Sequence, residues 1–295
     1  MLVYLAFRLA TFLVRHLPRR WGQAGVRWLG GVIYRVSPMA EAGRDNFRHV
    51  LGPDADPDQV AQLTQQAFQE RLYNYYDLLR LSDEPMDQVD LRVMVQGLEV
   101  IDQLVEAKRG AIIATGHMGP LEFVTQTVAS LGYDCLSIFE QLDNERLLAY
   151  IVELRSAHGL EMISTQGSLL DVYRRIKRGA FLMTAMDRDS TDTGLIVSFF
   201  GAPAWMPDGY ARLAVRADVP LIFGHCTYTE SGPSAKLYPP IYPDQSLGKE
   251  QAARQIIERT VALLEEAIRS DPGTWHLSTP VWRLAQERVQ LGAPQ

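Results

Sequence analysis

The first forty residues contain no aspartate and no glutamate. They contain six arginines: Arg8, Arg15, Arg19, Arg20, Arg27 and Arg35. That segment carries +6 while the whole chain carries −6, so the remainder carries −12. An acidic body argues against nucleic-acid binding. Cysteine is equally scarce, with only Cys135 and Cys226 in 295 residues. A disulfide framework is thereby excluded, and a reducing compartment is the simplest reading. No long apolar run exists either. The opening "MLVYLAFRLATFLVRH" is broken by Arg8 and stops at Arg15, short of the about 20 residues a membrane span requires. Its arginines mostly follow the apolar run, whereas a signal peptide places charge first. What remains is an amphipathic, aromatic and arginine-rich element suited to a membrane surface. Anionic lipid would attract it by about 1 kcal/mol per basic residue. The alternative is a basic helix pair packed on the protein's own core. Residues 1–40 are accordingly set apart as membrane-associating helices, and 41–295 form the main domain.

Several functional signatures are absent. There is no Walker loop and no G-x-G-x-x-G, so nucleotide binding is unsupported. There is no G-x-S-x-G elbow for a serine hydrolase. The six histidines do not fall at metal-ligand spacing, so no metal site is expected. No repeat or low-complexity tract occurs.

From Met39 to Leu81 the apolar spacing is helical. Beyond that, short apolar runs bounded by glycine alternate with amphipathic segments. "GAIIATGH", "YDCLSIFE", "LEMIST", "AFLMTAMD", "LIVSFFG", "VPLIFGHCTYT" and "SAKLYPPIY" read as strands. "PLEFVTQTVASLG", "NERLLAYIVELRSAHG", "GSLLDVYRRIKRG", "DGYARLAVRAD" and "KEQAARQIIERTVALLEEAIRSD" read as helices. The fold class is therefore α/β, with a mainly parallel central sheet covered by helices. "AKRGAIIATGH" and "IKRGAFLMTAMD" share one construction: a helix ending in Lys-Arg, a glycine, a buried strand, then a polar cluster. In such sheets ligands bind beyond the carboxyl ends of the strands. Both clusters, His117 to Glu122 and Asp187 to Asp189, fall there.

In "ATGHMGPLEF", Gly116 and Gly119 let the backbone turn sharply around His117. Near a helix N-terminus a histidine stays neutral and able to accept a proton. Glu122, in the first turn, could orient the ring, or it could be an ordinary acidic helix start. "MDRDST" has three readings: a metal-binding pair for a glycosyltransferase, a phosphatase nucleophile loop, or a solvated turn. Cys226 reads as a buried strand thiol.

These pieces occur in a telling order. "GHMGPLE" resembles the His-x4-Asp/Glu motif of glycerolipid-type acyltransferases. "RSAHGLEMI", "MDRDS", "VSFFGAPAWMPDGYARLAVRADVPL" and "DPGTWHLSTPVWR" follow it. The chain resembles the bacterial lipid A late acyltransferases and the mycobacterial phosphatidylinositol-mannoside acyltransferases, from the N-terminal helices to about Arg283. The resemblance implies acyl transfer from a thioester, acyl-carrier protein or acyl-CoA, to a hydroxyl of a membrane lipid or glycolipid. It implies no cofactor, and a site peripheral on the cytoplasmic face of the membrane. His117 would be the general base and Glu122 its support. Arg155, Asp187, Arg188 and Asp189 would line the cleft, and Gly119 would offer backbone N–H groups. Phe199, Phe200 and Gly201 would shape the acyl pocket. Mycobacterial members carry an acid shortly before "FFG". Leu195 to Ser198 stand there in this chain, which leaves Glu122 or an aspartate of 187–189 to pair with the histidine. A metal-dependent phosphatase or glycosyltransferase centred on Asp187 and Asp189, and a non-catalytic lipid-binding relative, stay open.

Overall fold

The computed structural model describes residues 1–85, 93–189 and 193–290. Ser190 and Thr191 of "MDRDST" lie outside the described residues. Four helices lead the chain: α1 (Leu2–His16), α2 (Arg19–Val36), α3 (Met39–Leu51) and α4 (Pro57–Leu81). In α4 the expected Asp-Pro start is realised, with the Asp56 carboxylate accepting from Asp58 N–H and Pro57 opening the helix. Helix α2 lies along α4 where its glycines allow close approach. A Cβ at Gly30 would stand 2.7 Å from the Gln69 backbone, and one at Gly22 would meet the Tyr76 ring at 2.6 Å.

Alternation then begins. The elements are β1 (Met94–Gln96), α5 (Glu99–Glu106), β2 (Ala111–Thr115), α6 (Leu121–Ser130), β3 (Cys135–Phe139), α7 (Glu145–Ser156), β4 (Glu161–Ser164), α8 (Leu169–Lys177) and β5 (Phe181–Ala185). A hairpin, β6 (Leu195–Phe199) and β7 (Ala202–Met206), precedes α9 (Gly209–Ala217), β8 (Leu221–Thr229), β9 (Gly232–Leu237), α10 (Lys249–Ser270) and α11 (Val281–Gln290). The main sheet runs β1-β9-β8-β2-β5-β3-β4. All its neighbours are parallel except β8 with β9. The mixed α/β architecture with a mostly parallel, helix-covered sheet is the one expected from the sequence.

The central strands read as unbroken apolar runs because both faces are covered. Ile112 and Ala114 point into one core with α8, α9 and α10, while Ala111 and Ile113 point into another with α5 and α6. The two echoing segments are neighbours, with Ala111 opposite Phe181 and Thr115 opposite Ala185. Only the second copy uses glycine in the left-handed region, Gly179 at φ +113°; the first uses Lys108. Gly110 is needed for another reason, since a Cβ there would strike the carbonyls of Ile176 and Ala180.

Two sequence readings change. "SAKLYPPIY" stays a strand only to Leu237, because two prolines cannot donate to a ladder. Ile241 keeps a single bridge to Leu221. The sequence does not single out the segments forming β1, α5 and α11, and it reads the Gly- and Pro-rich stretch after "LIVSFFG" as a turn where β7 pairs with β6.

The N-terminal helices pack on the protein's own core and also leave apolar side chains outward. Helix α1 packs inward through Tyr4 against Tyr150, and Thr11 accepts from Tyr150 Oη–H at 2.7 Å. Its outer side leaves Leu2, Leu5, Leu9 and Phe12 exposed, and α2 leaves Trp21 and Trp28 exposed at 65% and 71%. Among the described residues no helix is long and apolar enough to cross a membrane.

Candidate active site

His117 sits two residues beyond the end of β2, and Asp187 two beyond the end of β5. Those strands are in register, which brings the pair together. His117 Nδ1 lies 2.6 Å from Asp187 Oδ1. The backbone N–H of His117 donates to Asp187 Oδ2 at 2.7 Å, and Trp275 Nε1–H donates to the same oxygen at 2.9 Å. Asp187 is fully buried. Burial alone would push its carboxyl up. The facing His117 and the hydrogen bonds outweigh that and hold it below the usual carboxylate value. With Nδ1–H given to Asp187, a neutral ring carries its lone pair on Nε2. The ring is 28% exposed.

The turn carrying His117 is built for close approach. Gly119 adopts φ +58°, and a Cβ there would lie 2.3 Å from the Cys226 carbonyl oxygen. A Cβ at Gly116 would meet Leu264 at 2.5 Å. The segment Thr274–His276 is stitched to this turn. Gly119 N–H donates to Thr274 O at 3.1 Å, and His276 N–H donates to His117 O at 2.8 Å. Asn74 Nδ2 donates to Gly119 O at 2.8 Å, and Asn74 Oδ1 accepts from Glu122 N–H at 3.1 Å. The N–H groups of His117, Met118, Gly119, Leu121 and Glu122 are all engaged. Gly119 N–H is thus not available to an oxyanion, contrary to the sequence expectation.

Glu122 does not reach His117. Its carboxylate takes Arg155 instead, through Nε at 2.9 Å and a second guanidinium nitrogen. The Glu122 charge raises the Arg155 pKa against the opposing effect of burial. Helix α6 starts only after the Gly119–Pro120 turn, and Asn74 fixes that start so that Glu122 faces α7. Proximity in sequence therefore misassigns the pair, and Asp187 stands where Glu122 was expected. Arg155, expected to hold polar groups, is neutralised by the same contact. Arg188 is paired with Glu140 at 2.7 Å. Asp189 faces away from Asp187; its Oδ2 accepts from Gly194 N–H and from Trp205 Nε1–H. The D-x-D pair is spent on N–H donors in two separate places.

Phe199, Phe200 and Gly201 border neither of the two cavities that meet at His117, which corrects the reading of them as an acyl-pocket wall. Phe200 and Gly201 form the β6–β7 turn with φ +48° and +75°, as a two-residue hairpin of this hand requires. Phe199 is buried and stacks on Trp282 at 5.1 Å, with Trp275 at 6.0 Å. Phe200 N–H donates to Glu265, and Arg269 covers its ring at 4.6 Å. The motif braces Trp275, and through it Asp187.

His276 escaped sequence reasoning. Its ring centroid is 6.0 Å from that of His117 and it contacts Asn74 at 3.3 Å. Burial, then the neighbouring His117, pushes its pKa down to about 3, so it is neutral at pH 7. No local pattern announces it; only its place after buried Trp275 does. Cys226 is a buried free thiol whose pKa burial pushes up to about 12.

Two cavities meet at His117. A long groove of about 940 Å³ passes α4, α7, α8 and α9. A smaller cavity of about 190 Å³ lies between the sheet and α6, lined by Ile113, Val124, Val128, Leu160, Met183 and Leu237. His117, Leu121, Glu122, Ile138, Arg155, Thr184 and Ala185 border both.

A helix-covered, mostly parallel sheet with a His–Asp pair and two mainly apolar cavities at its strand ends defines an α/β protein whose site lies beyond the strands' carboxyl ends. The chain belongs to the bacterial lipid A biosynthesis acyltransferase family, whose model matches residues 2–284. It is similar to the phosphatidylinositol mannoside acyltransferase of Mycobacterium tuberculosis H37Rv, 26% identical over 81% of this chain and 76% of that one. It is similar also to the protein of that name from Mycolicibacterium smegmatis, 26% identical over 95% and 92%. The protein is an acyltransferase of lipid or glycolipid metabolism.

Proposed function

We propose that this enzyme moves a fatty acyl chain from a thioester donor, acyl-carrier protein or acyl-CoA, to a hydroxyl of a glycolipid at the membrane surface. One observation carries the reading: a histidine oriented by a buried carboxylate, where a small, mainly apolar chamber meets a larger, mainly apolar groove that also carries arginines. His117 Nε2 takes the hydroxyl proton as the oxygen attacks the thioester carbonyl. Asp187 keeps Nδ1 protonated and stabilises the imidazolium. The tetrahedral intermediate collapses by breaking the C–S bond, and the thiolate takes the proton from His117. An ester and a free thiol leave. The small cavity takes the acyl tail, and the groove takes the donor's arm and the acceptor headgroup. The protein is peripheral: Trp21, Trp28 and the apolar side of α1 enter the interface while arginines meet anionic headgroups. The free buried thiols suit the cytoplasmic face.

Incubation with radiolabelled palmitoyl-CoA or palmitoyl-carrier protein, and vesicles containing phosphatidylinositol mannosides, lipid A precursor or lysophospholipid, tests this. Label in a glycolipid ester, with the enzyme sedimenting on the vesicles, is the expected result. Lipid binding without transfer to any acceptor would make the chain a non-catalytic relative.

The chamber yields a second test. Gly224 lines it, and an added Cβ would meet its neighbours only at 3.6 Å or more, ordinary contact. A Gly224→Val side chain therefore starts from a Cβ in ordinary contact, and its two methyl groups take up chamber space. Each methylene denied burial loses about 0.8 kcal/mol, about a fourfold fall in kcat/KM per excluded CH2. Competing acyl-CoA donors of graded length should show the optimum moving shorter by about two methylenes. An unchanged profile would remove the tail from this chamber.

A further inference from the structure

The groove carries five arginines: Arg71, Arg155, Arg188, Arg212 and Arg216. Three are neutralised. Arg155 pairs with Glu122, Arg188 with Glu140, and Arg212 with Asp208 and Glu250. Arg216 lies over the Tyr173 ring, 5.5 Å from its centroid. Arg71, on α4, is different. Its guanidinium donates to Ser278 Oγ at 2.7 Å, and among the described residues no carboxylate forms an ion pair with it. It is half-buried beside His276. Ser278 is itself held in place: Asn46, fully buried, donates to the carbonyls of Leu277 and Thr279 on either side, at 3.2 and 3.0 Å. A half-buried cation without a counter-charge is costly unless an anion arrives. Beside it stand two groove-lining hydroxyls, Ser278 and Thr279. A planar donor fork with adjacent hydroxyls matches the oxygens of a phosphate group. Met39, the first residue of α3, borders the same groove, directly after the two N-terminal helices.

We propose that Arg71 and Ser278 form an anion subsite that seats the phosphodiester of the lipid acceptor, delivering its headgroup hydroxyl toward His117. The inference rests on the acyltransfer reading for its purpose, yet its test needs no turnover. The Arg155 and Arg188 forks are already filled by carboxylates, so they do not serve this role. Phosphate also occurs in the donor's pantetheine arm, and the probes separate the two sources.

The experiment is equilibrium binding to the full chain with no thioester present, so failed binding and failed transfer are distinguishable. The probes are dihexanoyl phosphatidylinositol below its micelle concentration, dihexanoylglycerol as the uncharged control, and pantetheine 4′-phosphate. Arg71→Gln should weaken the inositol lipid about 10- to 100-fold and leave the other two unchanged. Arg71→Lys, which keeps charge but not the fork, should fall between. Ser278→Ala should weaken the same probe by a smaller factor, which guards against an Arg71 variant that folds poorly. Equal affinity of wild type and Arg71→Gln for the inositol lipid would overturn the proposal. So would a loss shared by dihexanoylglycerol, or one falling on pantetheine phosphate.

Discussion

His117→Ala lowers kcat by about 10²- to 10⁴-fold, the range supplied by a positioned general base, with little change in KM for donor or acceptor. The reasoning is local. A lipid hydroxyl is a weak nucleophile and a thioester a reactive acyl donor, so the barrier falls chiefly when the hydroxyl proton has somewhere to go. Nε2 is the atom placed for it, because Nδ1 is committed to Asp187 at 2.6 Å. The fold should survive. The His117 backbone bonds to Asp187 and from His276 do not involve its ring, and Asp187 keeps the Trp275 donor. Steady-state transfer with labelled thioester, beside a thermal melt, checks both halves. A variant folding normally with kcat within tenfold of wild type would take His117 out of the chemistry.

How far the sequence discloses this arrangement depends on how local each feature is. Strand β2 and helix α4 are legible because their determinants are local: a glycine-bounded apolar run in one, an Asp-Pro start in the other. The turn around His117 is legible for the same reason, since only glycine satisfies a φ of +58° against the Cys226 carbonyl. The histidine's partner is not local. Asp187 and His117 occupy equivalent places in two echoing segments, each two residues past its strand. Their contact follows at once if those strands are neighbours. The sequence displays the echo without displaying the strand order, because α6, β3, α7, β4 and α8 lie between β2 and β5 in the chain. Glu122, five residues from His117, therefore looked like the better partner. Trp275 and His276 are harder still. They come from a segment after α10 that pairs with the His117 turn through two backbone bonds, which together make one isolated bridge. No periodicity marks such a contact. The "FFG" motif misled differently: its residues are aromatic and apolar, as an acyl wall would be, but they face Trp282 and Trp275.

Asp187→Asn separates orientation from packing, since it keeps the volume and changes the charge and one donor. The native carboxylate accepts three N–H groups and gives none. An amide in its place must turn its NH2 toward one of its partners. If the NH2 faces His117 Nδ1, the ring is forced into the tautomer with the proton on Nε2, where it can no longer act as a base. If it faces Trp275 and the His117 backbone, the NH2 meets two donors and both buried hydrogen bonds are lost, each costing about 1–3 kcal/mol. Either way the imidazolium loses its counter-charge in a dry setting. The expected fall in kcat is on the order of 10³- to 10⁴-fold, with the KM values preserved. Trp275→Phe is the control. It removes one donor to Asp187 but leaves the His117 contact, so its kcat should fall by about tenfold or less, for one neutral-to-charged hydrogen bond. If the two variants lost activity equally, the carboxylate would be acting through packing alone and the dyad would have no chemical role. A large gap between them, with similar melting temperatures, ties the rate to the tautomer that Asp187 imposes.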